Sequence, residues 1–434
     1  METSLVQWLS CLAFAAIIIA FLLRQIQRRD DALAWTLLGY FCICLVLITI
    51  KWYLRLDLAA YDAQKYQNLS AQIAALLKAD FLGNLPYILK PYAAYTLPLG
   101  LLYYVFGESE LLGQLLNTVM GLGVILNLHR LASQWFNQRI ANYTVILMAL
   151  YPYGWIQSTT LNRDMMIAFG ITLFFRLLGE AKTRGNLGAH LGLGLAILGS
   201  FLYLAWLRPP LMLLCGLAVF VYWMTYPEGC PQGKRLHRTL RTIFIILVMV
   251  VGSASIFLFG KYYAAQTQLE QEATQFCEVG GMNQRLRISE DAGSAYLKGV
   301  KYSSYPDVVR VMPLATFYFM FSPLPWQVTS PKQALGILDS SWMMLVCWYF
   351  LKGIKPLFRR HRRLTAALLT FLLVGFATSG VLQANAGSAM RHRTMFSILM
   401  FPVAMYGMTK PRVSRSSFRV GVRVPEVKRR LAGK

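Results

Sequence analysis

Charge is scarce in this chain. Only 14% of its 434 residues are Asp, Glu, Lys or Arg, where a soluble domain carries about a quarter. That shortage excludes an ordinary soluble enzyme. Acids are scarcer than bases, 19 against 43, so each carboxylate in an apolar context needs a reason. The phosphate-cradling patterns Gly-x-Gly-x-x-Gly and Gly-Lys-Ser/Thr are also missing, which argues against ATP-driven transport by this chain alone. The seven cysteines have no metal-ligand spacing, and only Cys277 falls in a long loop, so no structural disulfide is expected. Internal repeats, heptads and low-complexity tracts are absent.

Apolar residues fill the gap. They make up 56% of the chain, mean hydropathy is +0.46, and many runs approach the roughly 20 residues that a helix needs to cross hydrocarbon. The pattern predicts an all-α polytopic membrane protein of about 11 transmembrane helices, at 5–23, 33–51, 110–128, 142–159, 165–180, 189–206, 209–225, 241–260, 337–353, 364–381 and 394–410. A membrane barrel would show short alternating strands instead. With the amino terminus outside and sides alternating, most lysines and arginines collect on the inner side, and the longer outer loops come out nearly neutral. Retention of positive charge in the cytoplasm explains the net charge of +24 without a nucleic-acid partner. The expected organisation is one transmembrane domain, 1–410, and a basic cytoplasmic tail, 411–434, that meets membrane lipids. The first apolar run lacks a preceding basic stretch and a small-residue cleavage site, so it reads as a retained helix.

Two outer regions, 52–109 and 261–336, are too long to be connectors. In the first, Asp62 to Lys78 has the one-sided apolar pattern of an interfacial helix. Thr96 to Phe106 is apolar but too short to cross at about 1.5 Å per residue, which suggests a juxtamembrane or re-entrant helix. The second is polar from Gln266 to Lys301, then aromatic up to Trp326, with Pro323 and Pro325 disfavouring helix there. It suits either a membrane-touching lid or a simple interfacial loop.

Asp62 and Asp164 stand next to predicted spans, where a charge is costly and usually faces a working cavity. A carboxylate there can take a proton from a hydroxyl or hold a metal; the bland alternatives are a wet loop acid for Asp62 and an ion-paired helix N-terminus for Asp164. Lys90, Arg163, Arg208, Arg391 and Arg393 map to the same outer face, and bidentate arginines suit a phosphate. Snorkelling to headgroups is the simpler account of Arg208. His392, between two arginines, should have a lowered pKa and serve as a neutral donor, or as nothing special. Tyr61, Tyr66 and Tyr92 belong to a crowd of aromatics that either anchor the interface or line a pocket for sugar rings.

A string of short elements carries a resemblance. It runs through Asp62 to Tyr66, Lys90-Pro91, Leu97-Pro98-Leu99, Phe106-Gly107-Glu108-Ser109, His129-Arg130-Leu131-Ala132, Leu150-Tyr151-Pro152 and Arg163-Asp164. Residues 52–180 resemble the GT-C superfamily of integral-membrane glycosyltransferases, whose relatives include protein O-mannosyltransferases and aminoarabinose lipid A transferases. The chain departs from the usual pattern in having Tyr92 where a second proline is common and Ala63 after the first acid. An extra first span and the lack of a carboxy-terminal soluble domain are further expected departures. The resemblance implies transfer of a sugar from a polyprenyl-phosphate-linked donor to a glycan or lipid acceptor, on the outer face of a bacterial plasma membrane. Asp62 and Asp164 would be the catalytic acids and Lys90 a phosphate ligand, with a divalent metal, magnesium or manganese, left open. Arg163, Arg208, Arg391 and Arg393 are phosphate candidates on topology. Tyr61, Tyr66, Tyr92 and His392 are pocket candidates. An O-antigen-type polymerase or ligase, and a lipid-linked glycan transporter, are the rival readings.

Overall fold

The computed structural model describes residues 31–54, 60–80, 83–84, 93–180, 187–225, 278–290, 294–328 and 331–409, with residues 15, 18, 20 and 24 singly. Lys90, Tyr92, the expected span 5–23 apart from those single residues, the expected span 241–260 and the tail 411–434 lie outside the described residues, as does the side chain of Tyr61. Regular structure among the described residues is helical, apart from one isolated antiparallel bridge between Ala295 and Asn385. In chain order the helices are α1 (Asp31–Tyr53), α2 (Ala60–Ala79), α3 (Ala93–Phe106), α4 (Glu110–Trp135), α5 (Gln138–Ala149), α6 (Pro152–Ser158), α7 (Asp164–Glu180) and α8 (Leu187–Leu207). They continue with α9 (Pro210–Met224), α10 (Val279–Glu290), α11 (Tyr305–Phe321), α12 (Pro331–Arg360), α13 (Arg362–Leu382), α14 (Ala386–Ser397) and α15 (Phe401–Thr409).

Helices α1, α4 and α13 are long and apolar enough to cross a membrane, and α3, α8 and α9 are shorter apolar helices. Two expected spans are interrupted. The run 142–159 breaks between α5 and α6, because Pro152 has no N–H to donate and crowds the residue before it out of helical geometry. The freed Ala149 carbonyl accepts from the Trp155 indole at 2.6 Å. The run 394–410 loses its regular α ladder at Ile398–Met400, where the backbone stays right-handed helical but tightens for one turn; Pro402 cannot donate back to Ile398. The interfacial helix and the short apolar helix of the first outer region form as α2 and α3, which pack on each other. Helix α11 ends at Phe321, just before Pro323 and Pro325.

Helix α4 is central and packs against α1, α5, α6 and α7. Helices α12 and α15 meet backbone to backbone: a Cβ on Gly353 would collide with the Val403 carbonyl, and one on Gly407 with that of Tyr349. Small residues at such crossings allow the close approach that helix association in lipid relies on. Gly179 near the end of α7 lies against Leu364 at the start of α13. The start of α7, the end of α13 and helix α14 therefore share the opposite end of the bundle. Helix α14 packs there against α6, α7, α11, α12 and α13. Its N-terminus is fixed by Asn385, whose Oδ1 accepts from the Gly387 N–H at 2.8 Å. The strap 294–302 binds to the same place, with Tyr296 N–H donating to the Ala384 carbonyl at 2.8 Å and Ala386 N–H to that of Ser294 at 3.0 Å.

Candidate functional site

Asp164 is the first residue of α7, where the exposed N–H groups and helix dipole favour a negative charge. The loop that delivers it is tied down from three sides. Lys51, in the last turn of α1, donates to the Thr159 carbonyl at 2.8 Å, its hydroxyl at 3.1 Å and the Thr160 hydroxyl at 2.8 Å. Asn117 of α4 donates to the carbonyls of Thr160 and Asn162. The Asn162 side chain accepts from the Asp164 N–H at 3.1 Å and donates to Gln157 at 2.7 Å. An apolar bundle spends these polar groups on a short turn because unsatisfied backbone carbonyls are costly away from water.

Asp62 reaches the same point from the first turn of α2, and Arg391 from α14. Arg391 donates through Nε to Asp164 and through Nη1 to Asp62, so one guanidinium bridges both carboxylates. The Asp164 side chain is 4% exposed, that of Arg391 25% and that of Asp62 34%, so the cluster opens on the Asp62 side. Burial alone would lower the Arg391 pKa, but Asp164 and Asp62 more than offset it and push it above the ordinary guanidinium value. Tyr66, one turn after Asp62, is buried edge-on against Tyr95, with ring centroids 4.8 Å apart. Burial pushes its pKa up to about 12, with Arg163 and Arg391 opposing and Asp164 and Asp62 adding to the rise. It is a neutral phenol beside an ionic cluster.

Further cations stand around it. His392 is pushed well below the usual imidazole range, first by burial and then by Arg208, Arg391, Arg163 and Arg285. Its Nδ1 is buried without a hydrogen-bond partner. Arg163 is steadied by the Leu207 carbonyl at 3.0 Å, and Arg208 leans on the Met395 sulfur at 3.7 Å. Arg285, from α10, was not among the sequence candidates; it lies in a charge-rich stretch where nothing local distinguishes it from Arg287. Its helix is pinned by Asn283, which exchanges two 2.8 Å hydrogen bonds with the Tyr302 backbone.

A stability experiment follows for His392. The folded imidazole stays neutral, while the unfolded chain takes up a proton near pH 6.5. The unfolded state then binds more protons below that pH, so this contribution is fully present above about pH 6.5 and is lost as pH falls towards the lowered folded value. The slope is about 1.4 kcal/mol per pH unit. Melting curves in detergent between pH 7.5 and 5.5 should show His392→Gln losing less stability on acidification than wild type. Parallel losses would mean that His392 is not held neutral.

Arg393, two residues beyond Arg391, faces elsewhere. Its side chain is fully buried and paired with Asp339 of α12, with Nε 3.0 Å from Oδ2. It also donates to the carbonyls of Met320 at 2.8 Å and Ser322 at 2.7 Å. Every nitrogen of this guanidinium is engaged inside the protein, and it ties α14 to α11 and α12. Asp339 has the same signature as Asp164, an acid at the head of an apolar run, and the same reasoning would have singled it out.

A metal fits this arrangement poorly. Among the described residues no three His, Cys, Asp or Glu side chains gather as a metal site. The two carboxylates that would hold a divalent ion turn oxygens to Arg391 instead.

No protein-family model matches the chain, and no curated protein matches it. Among solved structures it is similar to ArnT from Cupriavidus metallidurans bound to undecaprenyl phosphate, with a TM-score of 0.52 and 13% identity over 86% of this chain and 60% of that one. The apo state of ArnT from the same source aligns at a TM-score of 0.38 and 19% identity, over 85% and 76% of the two chains. The chain thus spans about three-fifths of the length of the undecaprenyl-phosphate-bound structure. What the likeness shows is the architecture: the described residues form an all-helical fold similar to that of the solved ArnT structure.

Proposed function

We propose that the chain is a membrane glycosyltransferase of the GT-C type. It would move a sugar from a polyprenyl-phosphate donor to a glycan or lipid acceptor, on the outer face of a bacterial plasma membrane, in building the cell envelope or an exopolysaccharide. One observation carries this reading: two acids from separate elements meet a single arginine, and further arginines lie within electrostatic reach of the neighbouring His392. The undecaprenyl phosphate in the similar ArnT structure supports a lipid phosphate as the anion.

The chemistry needs little else. The acceptor hydroxyl attacks the anomeric carbon, Asp62 takes its proton, and the bond from that carbon to the phosphate oxygen breaks. The departing lipid phosphate gains negative charge, which Arg163, Arg208, Arg285 and Arg391 stabilise, and attack from the opposite face inverts the anomeric centre. Lys90 would join them by the resemblance. Asp164, better buried, holds Arg391 in place, and Tyr66 can donate to the sugar or the phosphate. A polyprenyl chain cannot leave the bilayer, so an interfacial site suits the donor.

Purified protein in lipid nanodiscs, given a radiolabelled undecaprenyl-phosphate sugar and a membrane lipid extract as acceptor, is expected to add a single sugar. Polymer ladders from a pyrophosphate-linked repeat unit would favour the polymerase reading. Movement of unchanged lipid-linked sugar across the bilayer would favour a transporter.

A further inference from the structure

The end of the bundle away from Asp164 has a concentration of charge that the proposed chemistry leaves unused. Lys352, Lys355, Arg359, Arg360 and Arg362, all exposed, stand where α12 passes into α13. Gly179 of α7 lies against Leu364 here, and Arg363 donates to the Thr225 carbonyl at the end of α9 at 2.8 Å. Asp164 opens α7 and Arg208 precedes α9, so the candidate site lies at the opposite ends of both helices.

The cations continue a stripe. At about 100° per residue, Met344, Trp348, Leu351, Lys352, Lys355 and Arg359 fall on one side of α12. Met344, Trp348 and Leu351 are exposed there, whereas Val346, Phe350 and Leu357 on the other side are buried. The exposed side is thus apolar in its first half and cationic in its second, over about 22 Å. Aromatic rings mark the change. Lys352 Nζ lies 4.6 Å from the Trp348 ring centroid and 5.0 Å from that of Tyr349, and the Arg362 guanidinium lies 5.7 Å from that of Phe358.

The chemistry selects the ligand. Among the described residues no acid answers this charge from α9, α13 or the second half of α12, and Glu180 at the end of α7 is taken by Arg176 at 3.0 Å. An acidic peptide or a nucleic acid would match the cations but leave the apolar half of the stripe uncovered. A zwitterionic lipid would cover the apolar half but bring its ammonium up to the cations. An anionic phospholipid satisfies both halves, with acyl chains along Met344, Trp348 and Leu351 and its phosphate among Lys355, Arg359 and Arg362.

We propose that this stripe of α12 is a binding site for an anionic phospholipid, in the leaflet away from the candidate site, with Lys355, Arg359 and Arg362 as its headgroup ligands. The site does not depend on the glycosyltransferase reading.

Native mass spectrometry of the full chain in detergent, titrated with phosphatidylglycerol or with phosphatidylcholine of the same acyl chains, reads the lipid held per protein. Wild type should hold phosphatidylglycerol in preference. Lys355→Gln/Arg359→Gln/Arg362→Gln should weaken it by about tenfold or more, since each cation at an anionic surface contributes about fivefold, and should leave phosphatidylcholine unchanged. Arg287→Gln/Lys298→Gln/Lys301→Gln removes the same charge from exposed positions at the other end and should bind like wild type. So should Lys355→Arg/Arg359→Lys/Arg362→Lys, which keeps the charge and separates loss of the site from loss of the fold. Equal weakening by the two glutamine triples means attraction by net charge alone and overturns the site. Unchanged binding in the first triple, weakening in the charge-keeping one, or a wild type that holds both lipids alike also overturns it. Displacement of the lipid by inorganic phosphate at matched ionic strength would mean a free-anion site and overturns it as well.

Discussion

Arg391→Met is expected to lose transfer by about a thousandfold or more and to melt well below wild type. This arginine touches both acids. Removing it strands Asp164, which is 4% exposed, as a buried charge without its ion pair, a change that typically costs about 3–5 kcal/mol. It also removes a cation beside the departing phosphate, where losing one preorganised donor costs about a hundred- to a thousandfold in rate. Arg391→Lys separates the two effects. The ammonium keeps the charge and can hold Asp164, so most of the stability should return. It lacks the planar fork that reaches two carboxylates at once, so turnover should stay about a hundredfold down. Thermal melts in detergent and the radiolabelled transfer assay read the two quantities separately. If Arg391→Met melts and turns over like wild type, the bridge is incidental to both.

The cost of placing charge in an apolar chain made Asp62, Asp164 and Arg391 legible one by one. It could not pair them, because Arg391 is 329 and 227 residues from its partners. Nor could it separate Arg391 from Arg393, which look equivalent as neighbours in a polar stretch. Once that stretch is the helix α14, two residues mean about 200° of rotation, and the two guanidinium groups must face opposite ways. The helix was itself hidden, since the polar residues that address Asp62 and Asp164 on one side and Asp339 on the other read in sequence as a loop. Hydropathy found the long apolar helices but passed over the break at Leu150–Tyr151, for which Pro152 was the local sign. Lys51 is a different case: a lysine at the end of a span is expected to snorkel, and here it secures the turn before Asp164. Arg285 had no sign at all.

Asp62→Asn should abolish turnover in a protein that is otherwise nearly unchanged. The amide has the same shape and its oxygen can still accept from Arg391, so the geometry survives. What is lost is the capacity to take the acceptor's proton, and a positioned general base contributes about a hundred- to ten-thousandfold. The ion pair it weakens is partly open to solvent, with Asp62 34% exposed; such pairs are worth about 0–1 kcal/mol, so the melting temperature should hardly move. Binding of the donor should hold, because the arginines that grip the phosphate remain. Asp164→Asn should behave in the opposite sense: its buried position makes the pair with Arg391 structural, so stability falls and turnover falls with it. Measuring kcat, donor affinity and melting temperature for both variants therefore assigns the roles. Full turnover by purified Asp62→Asn removes it as the base. Loss of turnover at wild-type stability in Asp164→Asn would transfer that role to the buried acid.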